Sequence, residues 1–187
     1  MTSRSTQIRD AIVDRLLAMV DVETRQPFTK VTKAQTPTLQ PFDLPMAQCF
    51  VIAETLTPDG DSNAGEPNFV ADATIAVSII RGFEDPDVLD GRIDADIDAV
   101  EASLLTDPQF VRFGQGALFE SVERIQRRRL FHKEGETYFA ELRTEITFRY
   151  AIAFDPIIPD AFAEAHITGK TPGPAAGHVV IARPAQT

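Results

Sequence analysis

Six aspartates, Asp85, Asp87, Asp90, Asp94, Asp96 and Asp98, crowd one short stretch of this 187-residue chain. Carboxylates at that density could gather a divalent cation, but on a helix they more commonly form a solvated face. Asp59, Asp61 and Asn63 imitate the start of a calcium loop. The imitation fails further along, where Ala64 replaces the glycine of the sharp turn and Val70 the bidentate glutamate. His132, His166 and His178 are far apart and lack metal-ligand spacing. No Ser-His-Asp set and no glycine-rich phosphate loop after a strand can be identified. The single cysteine, Cys49, lies in an apolar run and reads as a buried thiol. The expectation is a non-enzyme without metal or cofactor. An acidic metal-dependent enzyme using Asp59, Asp61 and the aspartates ahead of the second helix is the alternative from a different class.

The formal net charge is -10. Such a chain does not bind nucleic acid by neutralising phosphates, although an acidic wall suits DNA that must slide past it. The 43% hydrophobic content is ordinary for a globular domain. No run approaches the ~20 apolar residues of a membrane span. Met1 to Thr6 lacks the apolar core of a signal peptide, and a cytoplasmic folding compartment fits.

The elements that must position these residues follow from periodicity. Ile8, Ile12, Leu16 and Met19 predict an amphipathic helix over about 6–20, capped by Ser5 or Thr6. A strand is expected within 28–34. Met46 to Leu56 is apolar on alternate positions of both faces and reads as a central strand covered on both sides. Phe69 to Arg81 reads as a strand with Phe69, Ala71, Ala73, Ile75, Val77 and Ile79 facing the core. A second helix is predicted over about 86–105. Leu89, Ile93, Ile97, Val100 and Leu104 form its buried stripe, and Asp87, Asp90, Asp94, Asp98 and Glu101 its acidic face. That face is the candidate for the wall of a DNA channel.

The strongest pattern is the alternation from Ala140 to Phe154. Even positions are apolar except Thr144, and odd positions up to Arg149 are polar or charged. At ~3.3 Å per residue, 139–154 spans on the order of 50 Å, against a radius of gyration of about 16 Å for a domain of this size. A hairpin protruding beyond its own core is therefore expected. With 133–136 as the turn, Arg128 falls opposite Glu141, Arg124 opposite Glu145 and Glu120 opposite Arg149. The other face places Arg127 and Arg129 among apolar residues, where an unpaired charge is too costly for a core. The core is thus expected to end near Ile125 and Thr144. Arg127, Arg129, Phe131, Tyr138 and Leu142 become candidates for an interface with an acidic partner, such as another copy of the chain.

Beyond Asp155, five prolines and three glycines punctuate the sequence, and the domains expected are 1–155 and a Pro/Gly-rich extension, 156–187. The extension needs something to hold it, a neighbouring subunit by preference or its own domain otherwise. His178 to Arg183 has the pattern of a strand that adds to a sheet edge. The fold class expected is α+β: a mostly antiparallel sheet with two main helices packed on it, a long hairpin and an extended tail.

The stretches Ile8 to Val20, Leu44-Pro45 leading into Met46 to Leu56, Phe69 to Arg81, Asp85 to Leu105, and Arg127 to Phe154 together carry a resemblance. Their order resembles the tail terminator proteins of long-tailed bacteriophages, the lambda minor tail protein U type, over roughly 5–155. The resemblance implies a homo-oligomeric ring, usually a hexamer, at the head–tail junction of a virion, assembled in the host cytoplasm. Such a ring caps the tail tube protein, meets the head-completion or stopper protein, and lets DNA pass without sequence-specific binding. No individual residue role carries over, and the extension after 155 departs from the family pattern. A head-completion or connector protein is the alternative within the structural class.

Overall fold

A computed structural model describes residues 3–19, 26–35, 40–60, 67–82, 86–112, 116–134, 137–154, 164–168 and 178–182, with the backbone path alone at 86–87, 131–134, 137–138 and the last two segments. The chain divides into two compact units, Met1–Ala153 and Phe154–Thr187.

In the first unit, helix α1 (Arg4–Ala18) starts two residues earlier than its apolar stripe predicts, because Ser3, rather than Ser5 or Thr6, accepts from the Thr6 amide. Ser5 is free to turn inward and is buried. Strands β1 (Lys30–Thr32), β2 (Met46–Pro58) and β3 (Asn68–Gly82), helix α2 (Pro86–Leu105), and strands β4 (Ser121–Glu134) and β5 (Thr137–Ala153) follow. The five strands form one sheet in the order β1-β2-β3-β5-β4, antiparallel except for the β1–β2 pair. The architecture is α+β, with both helices packed on one face of the sheet. No helix among the described residues is long and apolar enough to cross a membrane.

The predicted α2 stripe is buried in full, from Leu89 to Leu104. Each such side chain contributes about 1.5–3 kcal/mol of transfer free energy. It covers β3 and β5, where Ile75 pairs with Ile146, Val77 with Thr144 and Ile79 with Leu142. Phe110, Phe119 and Phe148 close one end of this layer, with ring centroids 4.7–6.0 Å apart.

Three expectations are corrected. The first is the length of β5, which does not protrude: β3 flanks it from Phe139 to Ala153, and β4 runs along its other side. Its core does not stop at Thr144, because Leu142, Ala140 and Phe139 are also buried. The second is register. Arg128 pairs with Arg143 instead of Glu141, and Gln126 with Glu145, a shift of two residues toward a tighter turn. A two-residue shift preserves the faces, and a bulge between Val122 and Arg124 then brings Ser121 opposite Arg149. The third is β2, which is buried on both faces only over Met46 to Cys49. β1 flanks that end alone, and from Ile52 onward the strand is exposed.

In the second unit, β6 (Glu164–Thr168) and β7 (His178–Ala182) pair antiparallel as a two-stranded ribbon. The strand predicted over 178–183 is present at 178–182, with β6 as its partner, and Arg183 lies outside the described residues.

Candidate functional site

The acidic face of α2 and the basic face of β4 meet. Asp90, Asp94, Asp98 and Glu101 recur at helical spacing and so share a side of α2. Arg127 and Arg129 are two apart on β4 and share the side that faces the helix. Arg127 donates to Glu101 through Nε at 3.0 Å and Nη2 at 2.6 Å, and to Asp98 at 2.8 Å. Arg129 donates to Asp90 at 2.5 Å and to both oxygens of Asp94. Thr144, buried on β5, donates to Glu101 at 2.8 Å. A parallel clamp joins Arg81 of β3 to Asp96, with Nε at 2.5 Å and Nη2 at 3.1 Å from its carboxylate.

These pairs change the meaning of both candidate sets. Four residues expected to line a channel, and two expected to meet a neighbour, satisfy each other within one chain. Their hydrogen bonds hold the Arg127 and Arg129 guanidinium pKa values up, chiefly through Glu101 and Asp94 respectively. Leu142, the third interface candidate, belongs to the core beneath α2. Phe131 pairs with Ala140 and Tyr138 with Lys133 in the ladder, but their side chains, like that of Asp87, lie outside the described residues. The pairing also accounts for Asp90, Asp94, Asp96 and Asp98 as an intramolecular clasp, whereas Asp85 lies outside the described residues. Among the described residues, no group of three or more His, Cys, Asp and Glu is placed to hold a metal. Of the loop candidates, Asp59 is described and its amide bonds to the Asn68 carbonyl, whereas Asp61 lies outside the described residues. Cys49 is fully buried, and burial pushes its thiol up to about 12.

Among the described residues, no α-helix packs on the opposite face of the sheet. Polar pairs cover part of it: Arg149 with Asp72 at 2.9 Å, Arg143 with Glu141 at 2.7 Å, and Ser78 donating to Glu141 at 2.6 Å. The Arg143 guanidinium also lies 5.4 Å from the centroid of the Phe50 ring. The Asp72 carboxyl is held below its ordinary value by the hydrogen bond from Arg149. Between these pairs an open basin of ≈ 230 Å³ is lined in part by Ile52, Thr74, Arg124, Arg128 and Glu145.

Periodicity alone does not reveal the behaviour of β2. A bulge between Val51 and Ala53 brings Ala53 opposite Thr74 and Glu54 opposite Ala73, so the strand changes face at Ile52. Glu54 thereby turns toward α1, accepting from Ser5 at 3.1 Å and from the Tyr150 hydroxyl. The sequence signal was a lone carboxylate in an otherwise uncharged run.

No protein-family model and no curated protein matches this chain.

Proposed function

We propose that this chain is a structural virion protein whose copies form a ring at the head–tail junction, capping the tail tube and passing DNA through its lumen. The observation that carries this reading is the order of elements. α1, the Leu44-Pro45 entry into β2, β3, α2, and the antiparallel β4–β5 pair coincide with the stretches that carry the tail-terminator resemblance. Among the described residues the outer edge of β2 beyond Gln48 has no strand beside it, which suits an assembly subunit. The α2 acidic face lends weaker support to a lumen wall, since much of its charge is paired to Arg81, Arg127 and Arg129.

The test is native mass spectrometry with negative-stain electron microscopy, on the chain alone and with tail-tube protein. A closed ring, six-fold by the resemblance, is the expected result. A chain that stays monomeric in both conditions overturns the reading.

A further inference from the structure

The two long edges of the sheet differ in kind. Outer strand β4 carries Arg124, Arg127, Arg128, Arg129 and Lys133. Charges of this sort deter a second strand from pairing. At the opposite side β1 covers only Met46 to Gln48, so from Cys49 to Pro58 the outer edge of β2 has no strand beside it among the described residues. Between Val51 and Thr57 that edge holds one charged residue, Glu54, and its carboxylate is engaged by Ser5 and Tyr150. Ile52 and Leu56 are 45% and 43% exposed. A long edge of β-branched and apolar residues with a single, internally engaged charge is a template for another strand.

The second unit contains a strand of matching character. β7 reads His178, Val179, Val180, Ile181, Ala182, without Lys, Arg, Asp or Glu. It pairs only with β6 among the described residues, so the ribbon also has open edges. A two-stranded ribbon this short is marginal in water and gains from a third strand. Five residues need ~17 Å of edge, which Val51 to Thr57 can accommodate.

We propose that β7 of one copy pairs with the outer edge of β2 in a second copy of this chain. The inference rests on the ring reading and deepens it, because each copy then offers one donor strand and one acceptor edge. Such head-to-tail contacts close into a ring when the rotation between copies allows it.

The experiment uses two full-length variants and native mass spectrometry. Thr55→Lys/Thr57→Lys places two cations on exposed positions of the acceptor edge. Val179→Pro/Ile181→Pro removes two N–H groups from the donor. Each variant alone is expected to lose the wild-type oligomer. Mixed in equal amounts they are expected to form a two-chain complex, because the acceptor-blocked copy still donates to the donor-blocked one. Amide exchange on the wild type gives an independent reading: the outward amides of 51–57 are slow in the assembly and become fast on dilution to monomer. A variant that keeps the wild-type mass, a mixture that stays monomeric, or fast exchange within the assembly each overturns strand exchange and leaves the ring reading standing. A wild type that never associates overturns both.

Discussion

Arg127 binds Glu101 through two nitrogens and Asp98 through one of them, and Arg129 joins Asp90 to Asp94. Their charge is therefore matched within the fold, and reversing it acts on stability first. Arg127→Glu/Arg129→Glu should lower unfolding free energy in urea by about 1–3 kcal/mol, because exposed pairs are each worth only ~0.2–1 kcal/mol and like charges add repulsion. The loss should shrink at ~1 M salt, where the Debye length is about 3 Å. That these arginines need partners, and that α2 has an acidic face, is legible in the sequence. Their pairing with each other is not, because local periodicity carries no information on which helix lies over which strand. Tyr150 gives a second prediction. Burial, with the hydrogen bond to Glu54, pushes its hydroxyl up from 10.0 to about 12. The folded state thus favours the protonated phenol. This contribution is complete below pH 10 and is lost as pH rises toward 12. Tyr150→Phe should cost about 1 kcal/mol at neutral pH and should flatten the fall in thermal midpoint between pH 10 and 12.

The α2 stripe and the alternation of β5 were legible because each repeats one period over many residues: Leu89 to Leu104 and the even positions from Thr144 to Tyr150 are buried on the face the pattern gave them, while burial continues to Leu142 and Ala140, past the expected end of the core. What the pattern missed were the irregularities, the bulges at Ile52 and Glu123 and the tighter β4–β5 turn. A single inserted residue leaves no periodic trace, yet it moved Glu54 to the helix side of β2. The length of β5 misled for a related reason, since a long strand can run through a sheet when both neighbours are equally long. β3 ends at Gly82, opposite Phe139, where the backbone passes close to packed side chains. A Cβ there would lie 2.9 Å from the Phe139 ring and 3.1 Å from Leu44 Cδ1. The Phe139 ring is buried and has little room to swing. Gly82→Ala should therefore destabilise the fold by about 1–3 kcal/mol, read as a lower thermal midpoint with unchanged far-ultraviolet circular dichroism at 20 °C.

At the scale of the whole molecule, the chain combines a net charge of -10 with a sheet edge that is almost free of charge. These two properties oppose each other in assembly. The proposed strand pairing at β2 would depend on main-chain hydrogen bonds and apolar contact, which salt hardly weakens. Repulsion between acidic copies acts over the Debye length, about 30 Å at 0.01 M and about 8 Å at 0.15 M. If copies associated through complementary charges such as Arg127 against a neighbour's carboxylates, added salt would weaken the oligomer. With those arginines matched inside each chain, screening removes mostly repulsion. Sedimentation velocity at fixed protein concentration should therefore show the oligomeric fraction rising from 0.01 to 0.15 M salt, as orders of magnitude for the two regimes. A fraction that falls over that range would place the dominant contact at a charged surface and away from the β2 edge. The same acidity predicts no retardation of duplex DNA at ~0.15 M salt. The proposed lumen would require this, since each phosphate bound by a cation would have to be released before the duplex could advance.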